Sequence, residues 1–291
     1  MKRVVILAAA GVLAAASAAA LTAVDAAAED AFQPRARSPN PARFVAIAPA
    51  AGGAAPVADS RRSGAEFMSA STQAMQRDDT LNPGMLWVAG GETQWSTPAG
   101  RSAKSCAACH GDAKTSMRGV AARFPAFDAP SQGVINLAQR INLCRERRQQ
   151  ASPLRLESEE LLGLESYIAL QSRGLPVAPP RDKQVAAAAT RGKQLYFQRI
   201  GQLNLSCAQC HDERWGKHLA SSTIPQAHAA AYPIYRLEWQ AMGSLQRRLR
   251  NCISGVRAEI PPYGAPELVD LEAYLAERDK GMPIESPGVR P

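Results

Sequence analysis

The hydrophobic pattern of this chain changes texture along its length, and each change predicts a different kind of segment. Behind Lys2 and Arg3 runs an apolar stretch from Val4 to about Val24, closed by Ala26-Ala27-Ala28 before Glu29. A charged start, an apolar run and small residues at its end predict a secretory signal peptide over residues 1–28. The run is also long enough to stay as an uncleaved anchor, although its many alanines are only weakly apolar. Residues 29–62 are rich in Pro, Ala and Gly with few large apolar side chains, and read as a poorly ordered linker. At Ser63 the pattern becomes amphipathic. Ser63-Gly64-Ala65-Glu66, followed by Phe67, Met68 and Met75, predicts a short helix opened by a capping box.

Further along, one helical pattern occurs twice. Glu160-Leu-Leu-Gly-Leu-Glu-Ser-Tyr-Ile-Ala169 matches Glu267-Leu-Val-Asp-Leu-Glu-Ala-Tyr-Leu-Ala276, and both place apolar residues at the i, i+3/i+4, i+7 spacing of an amphipathic helix. Earlier in each copy lies a small-residue and aromatic segment, Gly84-Met-Leu-Trp87 and Gly192-Lys-Gln-Leu-Tyr196. Pro179-Pro180 marks a junction. The chain thus divides into a first half over 63–180 and a second over 181–282, with 283–291 as a tail. Alternating β-branched runs are few, so the class is mainly α.

The six cysteines follow the same duplication. Four lie in Cys106-Ala-Ala-Cys109-His110 and Cys207-Ala-Gln-Cys210-His211, a spacing that reads as c-type haem attachment. Two thiols form thioethers to the haem and the adjacent histidine becomes an axial iron ligand. Two motifs predict two covalently bound haem c groups in two tandem cytochrome c-like domains. Aromatic residues are only 5% of the chain, too few to fill two cores, and a large flat apolar group in each half would supply the missing interior.

His110 and His211 each need a partner across the iron. Electron-transfer cytochromes use Met, and Met117, Met242 and Met282 are the methionines to consider. Met117 follows His110 too closely to cross the haem plane. Met242 is a reasonable ligand, but the first half has no counterpart to it. Cys144 and Cys252, in contrast, occupy equivalent places before the two terminal helices, each preceded by an arginine four residues back (Arg140 and Arg248). They read as axial thiolates. A Cys144–Cys252 disulfide or two inert buried thiols would also account for the pair. A thiolate needs positive charge nearby. Arg236, Arg247, Arg248, Arg250 and Arg257 outnumber the acids near Cys252, whereas glutamates nearly balance the arginines near Cys144. Arg248 shares a helix face with Cys252. His218 and His228 read as surface or hydrogen-bonding residues.

The net charge of +8 allows a nucleic-acid partner in principle, but an exported dihaem protein rarely meets one. A small anionic substrate or an acidic protein fits better. Export places the chain in the periplasm, and no second long apolar run follows the leader, so no membrane span is expected after cleavage.

Tyr232-Pro-Ile-Tyr-Arg-Leu-Glu-Trp239 and Gly243-Ser-Leu-Gln-Arg-Arg-Leu-Arg-Asn-Cys-Ile-Ser-Gly-Val-Arg-Ala-Glu259 resemble the SoxA family, the catalytic cytochrome subunits of SoxAX complexes. Phe67-Met-Ser-Ala-Ser-Thr-Gln-Ala-Met-Gln76 and Asn82-Pro-Gly-Met-Leu-Trp87 resemble that family's N-terminal segment, so the likeness spans about residues 63–282. It implies that Cys106, Cys109, His110 and Cys144 serve the first haem, and Cys207, Cys210, His211 and Cys252 the second. It further implies an L-cysteine S-thiosulfotransferase that joins thiosulfate to a cysteine of a SoxYZ-like carrier protein. In that family the second haem marks the active site, Cys252 would carry a persulfide, and Arg248 would approach its sulfur. A SoxX-like monohaem subunit and a soluble cytochrome c acceptor are the implied electron partners. Two other readings remain, a dihaem electron carrier with Met ligands and a dihaem peroxidase with an open distal position.

Overall fold

A computed structural model describes residues 60–291; the signal peptide and nearly all of the linker expected from the sequence lie outside the described residues. The capping box at Ser63 is present, with Glu66 Oε1 accepting from the Ser63 N–H, but it opens only a 3₁₀ turn over Gly64–Phe67. A second cap, Ser69, starts α1 (Ala70–Arg77). One predicted helix is therefore two, because Met68 is extended between them.

In the first half, α2 (Met85–Ser96) leads to α3 (Cys106–His110) and α4 (Ala113–Ser116). A hairpin of β1 (Ala126–Asp128) and β2 (Gly133–Ile135) then precedes α5 (Leu137–Cys144), a π-helical turn over Arg145–Gln149, and α6 (Glu159–Leu170). In the second half, α7 (Lys183–Phe197) precedes α8 (Cys207–His211). There follow the two-residue strands β3 (His218–Leu219) and β4 (Ser222–Thr223), then β5 (Ile234–Arg236), β6 (Ala241–Gly243), α9 (Leu245–Gly255) and α10 (Pro266–Asp279). Both repeat segments are helices, α6 and α10, as their periodicity predicts.

Each terminal helix crosses the helix that precedes its own haem motif, and a glycine allows the approach. A Cβ on Gly91 of α2 would sit 2.1 Å from the Gly163 carbonyl oxygen of α6; a Cβ on Gly192 of α7 would sit 1.9 Å from the Asp270 carbonyl oxygen of α10. The equivalent segments are therefore Gly91 to Trp95 and Gly192 to Tyr196. This corrects the pairing with Gly84–Trp87, whose small-then-aromatic pattern occurs one helical stretch too early. Val88, Trp95, Leu137, Ile141, Leu161 and Tyr167 pack into the first core, and Tyr196, Ala208, Leu271 and Leu275 into the second.

Residues 283–291 are not a loose end. They carry β7 (Gly288–Arg290), which pairs in parallel with β5 in a sheet of order β6-β5-β7. The start of the described chain lies on this same region. Asn82 donates to the Pro287 carbonyl (2.9 Å), Ser63 to Glu285 (2.8 Å), and the Val289 N–H to Gln76 (3.1 Å). The link between halves is zipped by backbone hydrogen bonds, Gly174 to Ile284 and Val177 to Met282. Among the described residues, no helix is long and apolar enough to cross a membrane.

Candidate functional site

Both haem-type motifs begin the same way. Ser105 and Ser206 cap α3 and α8 by accepting from the N–H three residues on, so the two thiols and the histidine of each motif project from one short helical segment. The loop before each motif is a tight turn closed by the bridges Ala99 to Lys104 and Ile200 to Leu205. Its glycine, Gly100 or Gly201, takes a positive φ and abuts a carbonyl, of Gln149 or Val256, just after the helix that bears the spare cysteine. Hydrogen bonds fasten each loop there, Ser102 N–H to Gln149 O and Leu203 N–H to Val256 O. This fastening brings each spare cysteine to its own motif.

Cys144 ends α5 and influences Cys106, whose thiol is pushed up first by burial and then by Cys144. Gln149 spans the gap, donating to the Lys104 carbonyl (2.9 Å) and lying 3.9 Å from Cys106 Sγ. His110 is exposed, with its ring 5.7 Å from that of Trp95, whose indole N–H is held by the Gly111 carbonyl. Arg140, one turn before Cys144, is already committed: it pairs with the buried Asp128 at 3.0 Å, as Arg147 does at 3.1 Å.

The second motif differs. His211 Nδ1 lies 2.7 Å from the Pro225 carbonyl, an arrangement that assigns Nδ1 the proton and leaves the Nε2 lone pair for a metal. Cys252 on α9 lies beside His211. Burial pushes the Cys252 thiol up, but its neighbours His211, Arg248 and Arg236 outweigh it, so its pKa is lowered. Arg248 makes no ion pair among the described residues, and Cys252 helps to keep it protonated against burial. Arg236, 8% exposed, donates to the Pro291 carbonyl and pairs with Glu238 at 3.0 Å. Arg247 stacks on Trp239 at 4.1 Å. Tyr232 feels the charges of both Arg248 and Cys252, and burial pushes its hydroxyl up to about 12.

Cys144 and Cys252 are not joined in a disulfide; each lies near its own motif. Met242 is fully buried with its sulfur facing Gly84, and Met117 packs in the first core. His218 is exposed beside Thr223, and His228 forms a buried pair with Asp279 at 2.6 Å. The donors of each motif fit a c-type haem, with paired thiols on one turn, an adjacent histidine and a further thiol brought near, and at the second motif the histidine's other nitrogen is engaged by Pro225. Sequence reasoning counted Arg236 only as local charge and did not single out Tyr232, Gln149 or the Pro225 carbonyl. A backbone acceptor leaves no signal in residue types, and Arg236 reaches the site only through β5.

The family model for the SoxA/TsdA cytochrome c domain matches residues 90–177 and 191–284. A SoxA subunit of L-cysteine S-thiosulfotransferase from Pseudaminobacter salicylatoxidans is 40% identical over 80% of this chain and 82% of its own length. The corresponding subunit from Rhodovulum sulfidophilum is 34% identical over 80% of this chain and 81% of its own. Among solved structures, a chain of SoxXA from P. pantotrophus superposes with a TM-score of 0.77 at 32% identity, covering 81% of this chain and 90% of that one. Motifs, duplicated helix crossing and matches over most of the length lead to one assignment: the chain belongs to the SoxA/TsdA cytochrome c family, among its SoxA members.

Proposed function

We propose that this chain is the catalytic, dihaem subunit of a periplasmic L-cysteine S-thiosulfotransferase, and that the reaction takes place at Cys252. The observation that carries this reading is the asymmetry between the spare cysteines. Cys252 has a lowered pKa beside His211 and faces Arg248, whose charge no carboxylate neutralises in an ion pair, whereas the arginine equivalent to it at Cys144 is spent on Asp128.

In this reading Cys106 and Cys109 would anchor the first haem, with His110 and Cys144 as donors to its iron; Cys207, Cys210, His211 and Cys252 would hold the second in the same way. Thiosulfate is a dianion, and Arg248 with Arg236 offsets its charge and loss of hydration in the pocket. The sulfur of Cys252, carried as a persulfide, relays the sulfur transfer and splits it into two easier steps. Together thiosulfate and a carrier thiol give a cysteine S-thiosulfonate, one proton and two electrons. Haem held by these residues would supply the one-electron acceptor that this oxidation needs. His211, held by Pro225, and the fixed α9 keep the reacting sulfur in place. The partners are a SoxX-like monohaem cytochrome, a SoxYZ-like carrier and a soluble cytochrome c acceptor.

Mass spectrometry of the mature protein tests the reading. Two covalent haems and about one extra sulfur on the Cys252 peptide are expected. Cys252→Ala should keep both haems attached and lose thiosulfate-dependent turnover; full activity in that variant sinks the assignment. Electron paramagnetic resonance of the oxidised protein separates low-spin His/Cys sites from the His/Met sites of a plain carrier and the high-spin site of a peroxidase.

A further inference from the structure

Between the two halves lies a cavity of about 130 Å³, remote from the haem motifs in its lining, with room for several waters. Into it point Glu165 of α6 and Glu272 of α10, which occupy the same position in the two copies of the repeated helix, together with Glu157. The duplication has thus placed equivalent carboxyl groups face to face. Glu165 Oε2 is buried with no hydrogen-bond partner. Glu272, 7% exposed, accepts from Asn136 at 3.3 Å, and Glu157 accepts from the Ser244 N–H at 3.4 Å.

Those two contacts have a consequence. Asn136 caps α5 and Ser244 caps α9, so both cysteine-bearing helices start at this cluster. Cys144 and Cys252 lie eight residues further on, about 12 Å along each helix. Burial pushes Glu165 up to about 8, helped by Glu272 and Glu157, and pushes Glu272 up to about 7. Arg247 and Arg250 act on Glu157 from α9 without overcoming its burial, and the cavity wall also holds Tyr232, Tyr263 and Asp279, the last paired with His228.

We propose that Glu165, Glu272 and Glu157 form a shared proton-binding site that takes up a proton from solvent when a haem site of this chain is reduced. The inference rests on the dihaem reading above. An electron arriving from the oxidised substrate adds one negative charge to a poorly hydrated interior. A carboxylate of the cluster then accepts a solvent proton, forming one O–H bond, and restores the balance. The cluster suits this task because it holds more carboxyl oxygens than donors, at the start of two helices that each carry one of the spare cysteines.

The test is a spectroelectrochemical titration of the haem-loaded protein at a series of pH values, with dithionite as reductant. In the wild type at least one haem should lose potential as pH rises between about 6 and 9, with a slope approaching about one proton per electron. Glu165→Gln and Glu272→Gln should at least halve that slope, and reduced-minus-oxidised infrared spectra should lose the band of a newly protonated carboxyl. Should either variant fail to fold, Glu157→Gln serves in its place, since its carboxylate has an alternative partner in Ser244. Equal slopes in wild type and variants, or none in the wild type, overturn the inference. A chain that carries no haem absorbance overturns the dihaem reading instead, and this one with it.

Discussion

At the scale of single residues, the two halves diverge in how their arginines are used. Arg140 and Arg248 each sit one turn before a cysteine, yet Arg140 is held by Asp128 and Arg248 turns its charge to the sulfur. Arg248→Met should raise KM for thiosulfate roughly 10- to 100-fold, the loss of a charge-assisted hydrogen bond worth about 1.5–3 kcal/mol, while both haems stay attached. Arg140→Met should leave KM nearly unchanged and lower the melting temperature, since it leaves the buried Asp128 with one cation fewer. Steady-state kinetics on the two variants would contradict the asymmetry if they lost equally. Cys144→Ala should alter the spectrum of the first haem with a smaller loss of turnover than Cys252→Ala.

At the scale of elements, two helix crossings set the frame, and both depend on a single missing methyl group. Gly192→Ala and Gly91→Ala force α7 from α10 and α2 from α6, and should each cost about 1–3 kcal/mol by overpacking. Gly90→Ala is the control. It lies on the same helix with nothing within 4 Å of its added Cβ, so it should be neutral or stabilise by about 0.5–1 kcal/mol. Denaturant melts of the three variants would show it. The terminal helices α6 and α10 were legible because an amphipathic face imposes a period on the sequence. The crossing glycines were not, because nothing in a lone glycine tells which carbonyl it will meet. For the same reason the aromatic segments of the two halves were paired out of register.

At the scale of the molecule, the halves meet at their carboxyl groups and are tied by the C-terminal strand. The folded protein holds Glu165 and Glu272 well above the usual carboxylate value of 4.5, so it binds protons that the unfolded chain releases. Their contribution to stability is therefore complete below about pH 4.5 and lost as pH rises through about 7 and 8. Thermal melts should fall over that window, and Glu165→Gln should flatten the fall. Removal of residues 286–291 deletes β7 and the partners of Gln76, Asn82 and Arg236, so it should destabilise the whole unit and expose Arg236. A chain truncated there that melted like the wild type would restore the picture of a free tail. By itself the sequence determined the haem motifs, the duplication, the mainly α class and the equivalence of Cys144 and Cys252, since all of these are patterns of spacing. Only the tertiary structure decided that Arg140 is spent on Asp128, that the last residues are a strand, and that the repeated glutamates share one cavity. Those depend on which groups meet across long separations, and burial and pairing there set the energy of a charge far more than its identity does.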